Sequence, residues 1–223
     1  LLMRRAAASA SARTGHDIVL HRNNVDGKGA SWGTHENYMM LRSVPFDTVA
    51  ALMTAHFVSR QIYAGSGRVG IGERSETAGY QLSQRADYIH AILGLQTTFE
   101  RPIVNTRDES HSPSDYRRLH VIVGDANRMD VPQTLKLGAT SMLLWLAEHA
   151  DETGYDLAAL LDSMALVDPV SAMHTVSHDL TLQAELPLRD GGVTNAWIMQ
   201  VRLRAAVYEM GALVYGTDTR GEP

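Results

Sequence analysis

Apolar and polar residues along the chain follow two different periods, and these periods predict where helices and strands lie. Apolar residues spaced three and four apart predict helices over 3–14, 46–60, 130–149, 156–164 and 194–215. Short β-branched runs predict strands at 18–20, 103–107 and 118–124. Glycine and serine residues predict a loop or hairpin over 65–79, whereas 81–100 fits either strands or a short helix. Strands early in the chain and helices late predict an α+β fold with a largely antiparallel sheet.

The predicted strand over 118–124 carries charged side chains at alternating positions. Arg118 and His120 share one face and Leu119 and Val121 share the other, because successive side chains of a strand point to opposite faces. Charge on an apolar strand is costly unless it is paired. We therefore expect the face with Arg118 and His120 to look onto a ligand, a metal or a carboxylate.

His35 follows a loop rich in glycine and serine, and a strand there would point His35 and Asn37 to the same face. Taken alone, the histidine fits either a buried structural role or a functional one. The pair His35-Glu36 begins the zincin pattern H-E-x-x-H, but the fifth position is Met39, which excludes that metalloprotease site. Residues 65–70 match G-x-G-x-x-G, yet no apolar helix follows, which favours a glycine-rich hairpin over a dinucleotide site.

Two further groups of polar residues are predicted to be structural. His174 and His178 have the spacing of metal ligands on a helix, but without an evident third ligand they fit a surface or cap role. Asp26 and Lys28 lie in a glycine-rich stretch and are predicted to form a turn.

Composition limits the classes of function. The chain has 223 residues, 44% of them hydrophobic, and no apolar stretch approaches the roughly 18 residues of a membrane span. A formal net charge of -5 gives no overall attraction for nucleic acid. The absence of cysteine excludes disulfides, thiolate metal sites and a cysteine nucleophile, and fits a reducing cytoplasm. We expect a soluble, globular, cytoplasmic protein that binds neither nucleic acid nor membranes.

Long segments of the chain resemble signatures of the Pup-ligase/depupylase family. They read NNVDGKGASWGTHENY at 23–38, NTRDE at 105–109 and YRRLHVIVGDAN at 116–127. Within the family, a further set of stretches is closer to the depupylase branch than to the ligase branch: 24–31, 65–72, 81–88 and 125–127. Trp32 stands where the family usually has a tyrosine.

The resemblance implies a fold similar to glutamine synthetase, in which a curved antiparallel sheet holds ATP and Mg²⁺. His35 and His120 would bind the metal. Arg85 and Arg107 would reach the phosphates or the substrate carboxylate, and Arg118 would lie by the nucleotide. Planar guanidinium groups suit phosphoryl oxygens. Since Mg²⁺ prefers oxygen ligands, carboxylates would have to supplement the two imidazoles.

The resemblance also implies an activity and partners. The expected enzyme is an ATP-dependent hydrolase that cleaves the isopeptide bond between Pup, a small protein tag, and a substrate lysine. It would also deamidate a C-terminal glutamine of Pup. Its partners would be Pup and pupylated proteins, with the proteasome system downstream. The nucleophilic aspartate and the metal carboxylates are expected upstream of Leu1, so no catalytic residue is assigned within the chain.

Residues 1–190 would form the central part of the catalytic domain, a partial domain in this chain. Residues 191–223 would be a helical segment leading toward a C-terminal domain. Two alternatives stay open. One is a Pup–protein ligase of the same family, and the other is a truncated, non-catalytic module that binds Pup or nucleotide.

Overall fold

The computed structural model describes residues 2–26, 30–70, 78–108 and 113–216. Its helices are α1 (Leu2–Thr14), α2 (Phe46–Ser59), α3 (Gln61–Ala64), α4 (Asp130–Thr153), α5 (Leu157–Asp162), α6 (Pro169–His178) and α7 (Ala196–Tyr215). Its strands are β1 (Glu36–Leu41), β2 (Arg68–Gly70), β3 (Gly79–Gln81), β4 (Ile89–Gly94), β5 (Arg101–Asn105), β6 (Tyr116–Val121), β7 (Leu186–Pro187) and β8 (Val193–Thr194). The predicted α+β class is confirmed.

The strands of the described ranges form two-stranded pairs. Three pairs are antiparallel, namely β1 with β6, β2 with β3, and β7 with β8. The fourth, β4 with β5, is parallel. The hairpin predicted over 65–79 is confirmed by β2 and β3, although residues 71–77 lie outside the described part of the chain. The ambiguous region 81–100 contains a short 3₁₀ turn, Ala86–Tyr88, followed by β4.

One predicted strand is wrong. Residues 18–20 have no regular structure, and Ile18, Val19 and Leu20 are exposed. A run of only three β-branched or apolar residues becomes a strand when a neighbour supplies the ladder hydrogen bonds. None of the described strands pairs with this run.

The core lies around α2, which buries ten of its fourteen residues. The helix contacts α4, α6 and α7 on its sides and the strand β5. A helix that is apolar on nearly all sides has to be surrounded in this way. Met199, Leu203 and Met210 of α7 belong to the same buried cluster as the strands. The division of the chain after residue 190 stays a prediction.

A buried ion pair joins the first strand to the end of α2. Arg60 donates from Nη2 to Glu36 Oε1 at 2.7 Å and from Nη1 to Oε2 at 3.0 Å. Tyr38 adds a hydrogen bond to Glu36 Oε2 at 2.6 Å. Because both charges are almost fully buried, this two-point contact compensates for the water that each group has lost.

In the ranges that the structure describes, no helix is both long enough and apolar enough to cross a membrane.

Candidate functional site

The antiparallel pair of β1 and β6 has one face in the core and one face that points away from it, which we call the open face. On the open face Asn37 and Met39 are exposed, whereas Arg118 is half-buried and His120 is buried. Asn37 lies opposite His120, and Met39 lies opposite Arg118. Between them, Tyr38 lies opposite Leu119, and both side chains are buried in the core. The alternation predicted for 118–124 is therefore confirmed, because Arg118 and His120 share the face that points away from the core.

Asn37 orients two of the predicted site residues. Its Oδ1 lies 2.9 Å from His120 Nδ1 and 3.5 Å from Arg118 Nη1. When His120 Nδ1 donates this hydrogen bond, the neutral ring carries its lone pair on Nε2. An amide oxygen that fixes the tautomer in this way is typical of the surroundings of a metal-binding histidine.

His35 lies directly before β1 and contacts His120. The two ring centroids are 4.9 Å apart and the planes stand at 85°, an edge-to-face contact. Desolvation lowers the pKa of His35, and the positive charges of Arg85 and Arg107 lower it further. The imidazole is thus held neutral at physiological pH, which is the form that can bind a metal.

The Arg85 guanidinium faces protein acceptors. Nη1 donates to Ser31 Oγ at 2.9 Å and to the Trp32 carbonyl, and Nη2 donates to the Ile122 carbonyl at 2.9 Å. Arg85 is 1% exposed. Burial and the nearby Arg101 lower its pKa to about 10, so it remains charged at neutral pH. The phosphate role stays a prediction, and the contacts give Arg85 a second role, that of holding residues 31–32 against the end of β6.

Asp125, which sequence reasoning did not single out as a site residue, anchors the turn that carries Arg85. Its carboxylate accepts hydrogen bonds from Ser66 N at 2.8 Å, Gln84 N at 2.9 Å and Ser83 Oγ at 2.9 Å. Burial raises the pKa of Asp125, and these donors partly offset the effect. Ser83 Oγ accepts in turn from Arg85 N at 3.0 Å. The sequence feature that could have pointed to Asp125 is that stretches 81–88 and 125–127 both resemble the depupylase branch. This cluster brings the two stretches together.

Arg107 differs from Arg85 because its side chain is exposed. Its backbone N–H donates to Asn105 Oδ1 at 3.0 Å, which fixes the chain where β5 ends. Among the described residues, no hydrogen-bond acceptor contacts its guanidinium. The group nevertheless lies near enough to His35 for its charge to act on that imidazole. Residues 109–112 of the same loop lie outside the described part of the chain.

The described residues do not complete a magnesium site. His35 and His120 offer imidazole nitrogens and Asn37 an amide oxygen, whereas Mg²⁺ requires mainly oxygen ligands. Within the described ranges, no group of three or more His, Cys, Asp or Glu side chains is placed to hold a metal ion. The two histidines could therefore be only part of the ligand set, and their metal role stays a prediction.

The remaining motifs are structural in the described part of the chain. His174 Nε2 contacts the Ile89 carbonyl at 2.9 Å, and His178 Nε2 contacts Asp87 at 3.1 Å, so both connect α6 to the start of β4. Asp26 Oδ1 accepts from Ala30 N at 2.8 Å, which confirms its turn role. Lys28 lies outside the described residues.

Comparison with known proteins identifies relatives along the whole chain. Residues 1–220 match the Pup-ligase protein family. A Pup deamidase/depupylase of Mycolicibacterium smegmatis is 52% identical, covering 82% of this chain and 35% of the relative. A depupylase of Acidothermus cellulolyticus is 44% identical, covering 96% of this chain and 41% of the relative. A Pup–protein ligase of Bifidobacterium adolescentis is 37% identical, covering 92% of this chain and 42% of the relative.

Two solved structures of the Pup ligase PafA share the fold. The complex with ADP superposes with a TM-score of 0.75 at 32% identity, covering 100% of this chain and 46% of PafA. The complex with Pup gives 0.73 at 32% identity, covering 100% and 42%. The fold is therefore that of a glutamine-synthetase-like α+β protein. Within this class, the chain belongs to the Pup-ligase family, and it spans less than half the length of these relatives.

Proposed function

We propose that the chain is the nucleotide-binding part of an ATP-dependent depupylase. The observation that carries this proposal is the open face of β1 and β6, where Asn37 orients both His120 and Arg118 while His35 is held neutral beside them. A guanidinium and two imidazoles on one face suit the phosphates and the metal of a bound nucleotide. The relatives at 44 and 52% identity are depupylases or deamidases, whereas the Pup ligase relative at 37% is less similar.

ATP would lie along this face with its phosphates toward Arg107 and Arg118. Arg107 is exposed beside His35, so its guanidinium can reach an anion without losing a protein contact among the described residues. The similarity to a Pup ligase bound to ADP supports nucleotide binding. Mg²⁺, if it binds here, would take His35 and His120 as at most two of its ligands and oxygens of the nucleotide or of other residues for the rest.

The reaction would be hydrolysis of the isopeptide bond between Pup and a lysine, and deamidation of a C-terminal glutamine of Pup. Pup and pupylated proteins would be the partners, consistent with a relative solved in complex with Pup. A cytoplasmic location and a place upstream of the proteasome system would follow from that role.

The test uses the complete product of the gene. It is mixed with a Pup–lysine conjugate in the presence and absence of Mg-ATP, and release of Pup is followed on a gel. Nucleotide-dependent release is the expected result. Formation of new conjugates from Pup and free substrate, with ADP production, would instead establish the ligase. Binding of ATP or Pup with neither reaction would establish a non-catalytic module.

A further inference from the structure

Arg42 lies directly after β1 and contacts both ends of the loop that carries Arg107. β1 ends at Leu41, which pairs with Tyr116, the first residue of β6. Arg42 continues this pairing with one more backbone hydrogen bond, from its N–H to the Asp115 carbonyl at 2.8 Å. Its side chain therefore starts beside the point where the loop between β5 and β6 returns to the strand pair.

All three side-chain nitrogens of Arg42 donate hydrogen bonds in this region. Nη1 donates to Asp108 Oδ2 and Nη2 donates to Asp108 Oδ1 at 3.2 Å, so the guanidinium meets the carboxylate at two points. Nε donates to the Ser114 carbonyl at 3.0 Å, and Nη2 also donates to the Tyr116 carbonyl at 3.1 Å. Because Asp108 follows β5 and Ser114 precedes β6, one arginine joins the outgoing and returning ends of the loop. A lysine, with a single nitrogen, could not make this set of contacts.

Arg107 lies between two fixed points of the chain. On one side its backbone N–H donates at 3.0 Å to Oδ1 of Asn105, the last residue of β5. On the other side Asp108, the next residue, is held by Arg42. The backbone of Arg107 is therefore fixed on both sides while its side chain stays exposed. The charge of that side chain adds to the desolvation that lowers the pKa of His35, which places the guanidinium near the histidine pair.

The ion pair between Arg42 and Asp108 contributes little to the stability of the fold, because the two side chains are 39% and 45% exposed. The hydrogen bond from Arg42 is the main cause that lowers the pKa of Asp108, and the charges of Arg42 and Arg117 lower it further. The carboxylate is thus ionised at neutral pH and keeps its partner. What these contacts supply is a fixed position for the backbone next to Arg107.

We propose that Arg42 is a positioning residue for nucleotide binding, which holds Arg107 at the open face of β1 and β6 before the nucleotide arrives. The inference rests on the proposed function, since it takes the phosphates to lie toward Arg107. A loop that has to be ordered during binding subtracts that cost from the affinity, whereas a loop that is already held does not. Since Arg42 acts through Asp108, loss of either side chain should have the same effect.

The experiment is a double-mutant cycle on the complete gene product, with the affinity for Mg-ATP measured by calorimetry. Arg42→Met and Asp108→Asn should each weaken binding about three- to tenfold, while the midpoint of urea unfolding stays close to that of the wild type. Adding Arg42→Met to Arg107→Met should change the Kd by less than about twofold, because the guanidinium to be positioned is no longer there. Arg42→Lys keeps the charge but only one nitrogen, so its affinity should lie between those of the wild type and Arg42→Met.

Arg202→Met is the matched control. Arg202 is also exposed and donates to a carbonyl, that of Ser163 at 2.9 Å, but it lies on α7, and its loss should leave the ATP affinity unchanged. Additive effects of Arg42→Met and Arg107→Met would mean that Arg42 acts independently of Arg107 and would overturn the proposal, as would an unchanged affinity in Arg42→Met. The expected coupling without release of Pup from a conjugate would refute the depupylase function and leave the positioning role intact. No binding of ATP by the wild type would overturn both.

Discussion

Replacing Arg85 with methionine separates two roles that this arginine could have. If Arg85 serves only to bind phosphate, its buried charge is a cost to the free protein, and Arg85→Met should raise the free energy of unfolding. If Arg85 holds the segment 31–32 against β6, the same change removes three hydrogen bonds and should lower it. The sign of the stability change therefore decides between the two roles.

The magnitude follows from the contacts. The pKa of Arg85 falls from 12.5 to about 10, and at about 1.4 kcal/mol per unit its burial costs roughly 3 kcal/mol. Hydrogen bonds from a charged donor contribute about 1.5–3 kcal/mol each. Water can replace the donor only in part at Ser31 and Trp32, which are not fully buried, and not at the Ile122 carbonyl, which is inside the protein. The three bonds together contribute about 4.5–9 kcal/mol, more than the roughly 3 kcal/mol that removing the buried charge recovers. After partial replacement by water, we expect Arg85→Met to destabilise the fold by about 1–4 kcal/mol net.

The assay is urea unfolding without nucleotide, followed by tryptophan fluorescence. Arg107→Met is the matched control because Arg107 is exposed. It should change stability by no more than about 0.5 kcal/mol. It should also weaken ATP binding by at least about 1.5 kcal/mol, more than tenfold in Kd. An Arg85→Met variant as stable as the wild type, or more stable, would refute the reasoning.

Three further predictions concern the scaffold of the site. Gly65→Ala would place a Cβ 2.3 Å from a backbone carbonyl oxygen, so it should lower the free energy of unfolding, measured by thermal unfolding, by about 1–3 kcal/mol. Gly79→Ala is the control: its Cβ would have no atom within 4 Å, and it should lower the free energy of unfolding by less than about 0.5 kcal/mol. Burial holds the pKa of His56 well below its usual 6.5, so the folded protein keeps this imidazole neutral while the unfolded chain protonates it. The stability contributed by neutral His56 is therefore complete above about pH 6.5 and is lost as the pH falls. His56→Gln should remove up to about 1.4 kcal/mol per pH unit from the slope of stability between pH 5 and 6.5, and an unchanged slope would contradict this. Glu36→Gln leaves the Arg60 charge buried without its carboxylate and should cost about 3–5 kcal/mol, part of which Arg60→Met in the same chain should restore.

The long helices α2, α4 and α7 could be predicted from the sequence because each carries several turns of periodic apolar residues, whereas the single turn of α3 (Gln61–Ala64) was not predicted. The predictions for α2 and α7 lie within two residues of the observed bounds, while α4 continues to Thr153, where Gly154 ends it in the left-handed conformation. The strand predicted at 118–124 was predictable because its apolar residues alternate with charge, although the observed β6 runs from Tyr116 to Val121 and residues 122–124 lie beyond it. The run at 18–20 was not, because pairing with another strand is a tertiary event that three residues cannot specify.

The sequence placed Arg85 in the candidate site but could not show which groups its guanidinium contacts. A guanidinium that binds phosphate and one that donates to carbonyl groups need the same residue type, so neither pattern nor spacing separates them. The acceptors at 31, 32 and 122 come from distant parts of the chain and meet only in the folded protein. Asp125 was missed for the same reason, since its three donors lie at 66, 83 and 84.

The buried ion pair determines which side chains the site presents. Side chains of β1 alternate, so a slip of one residue against β6 would turn Asn37 into the core and Glu36 toward the open face. In the observed register Glu36 meets both terminal nitrogens of Arg60, and a shifted strand would leave that charge buried without its carboxylate. This contact therefore fixes the register in which Asn37 lies opposite His120. The buried face of β1 thus determines which side chains the strand presents on its open face. Variants of Arg60 should therefore affect nucleotide binding, although Arg60 itself is almost fully buried.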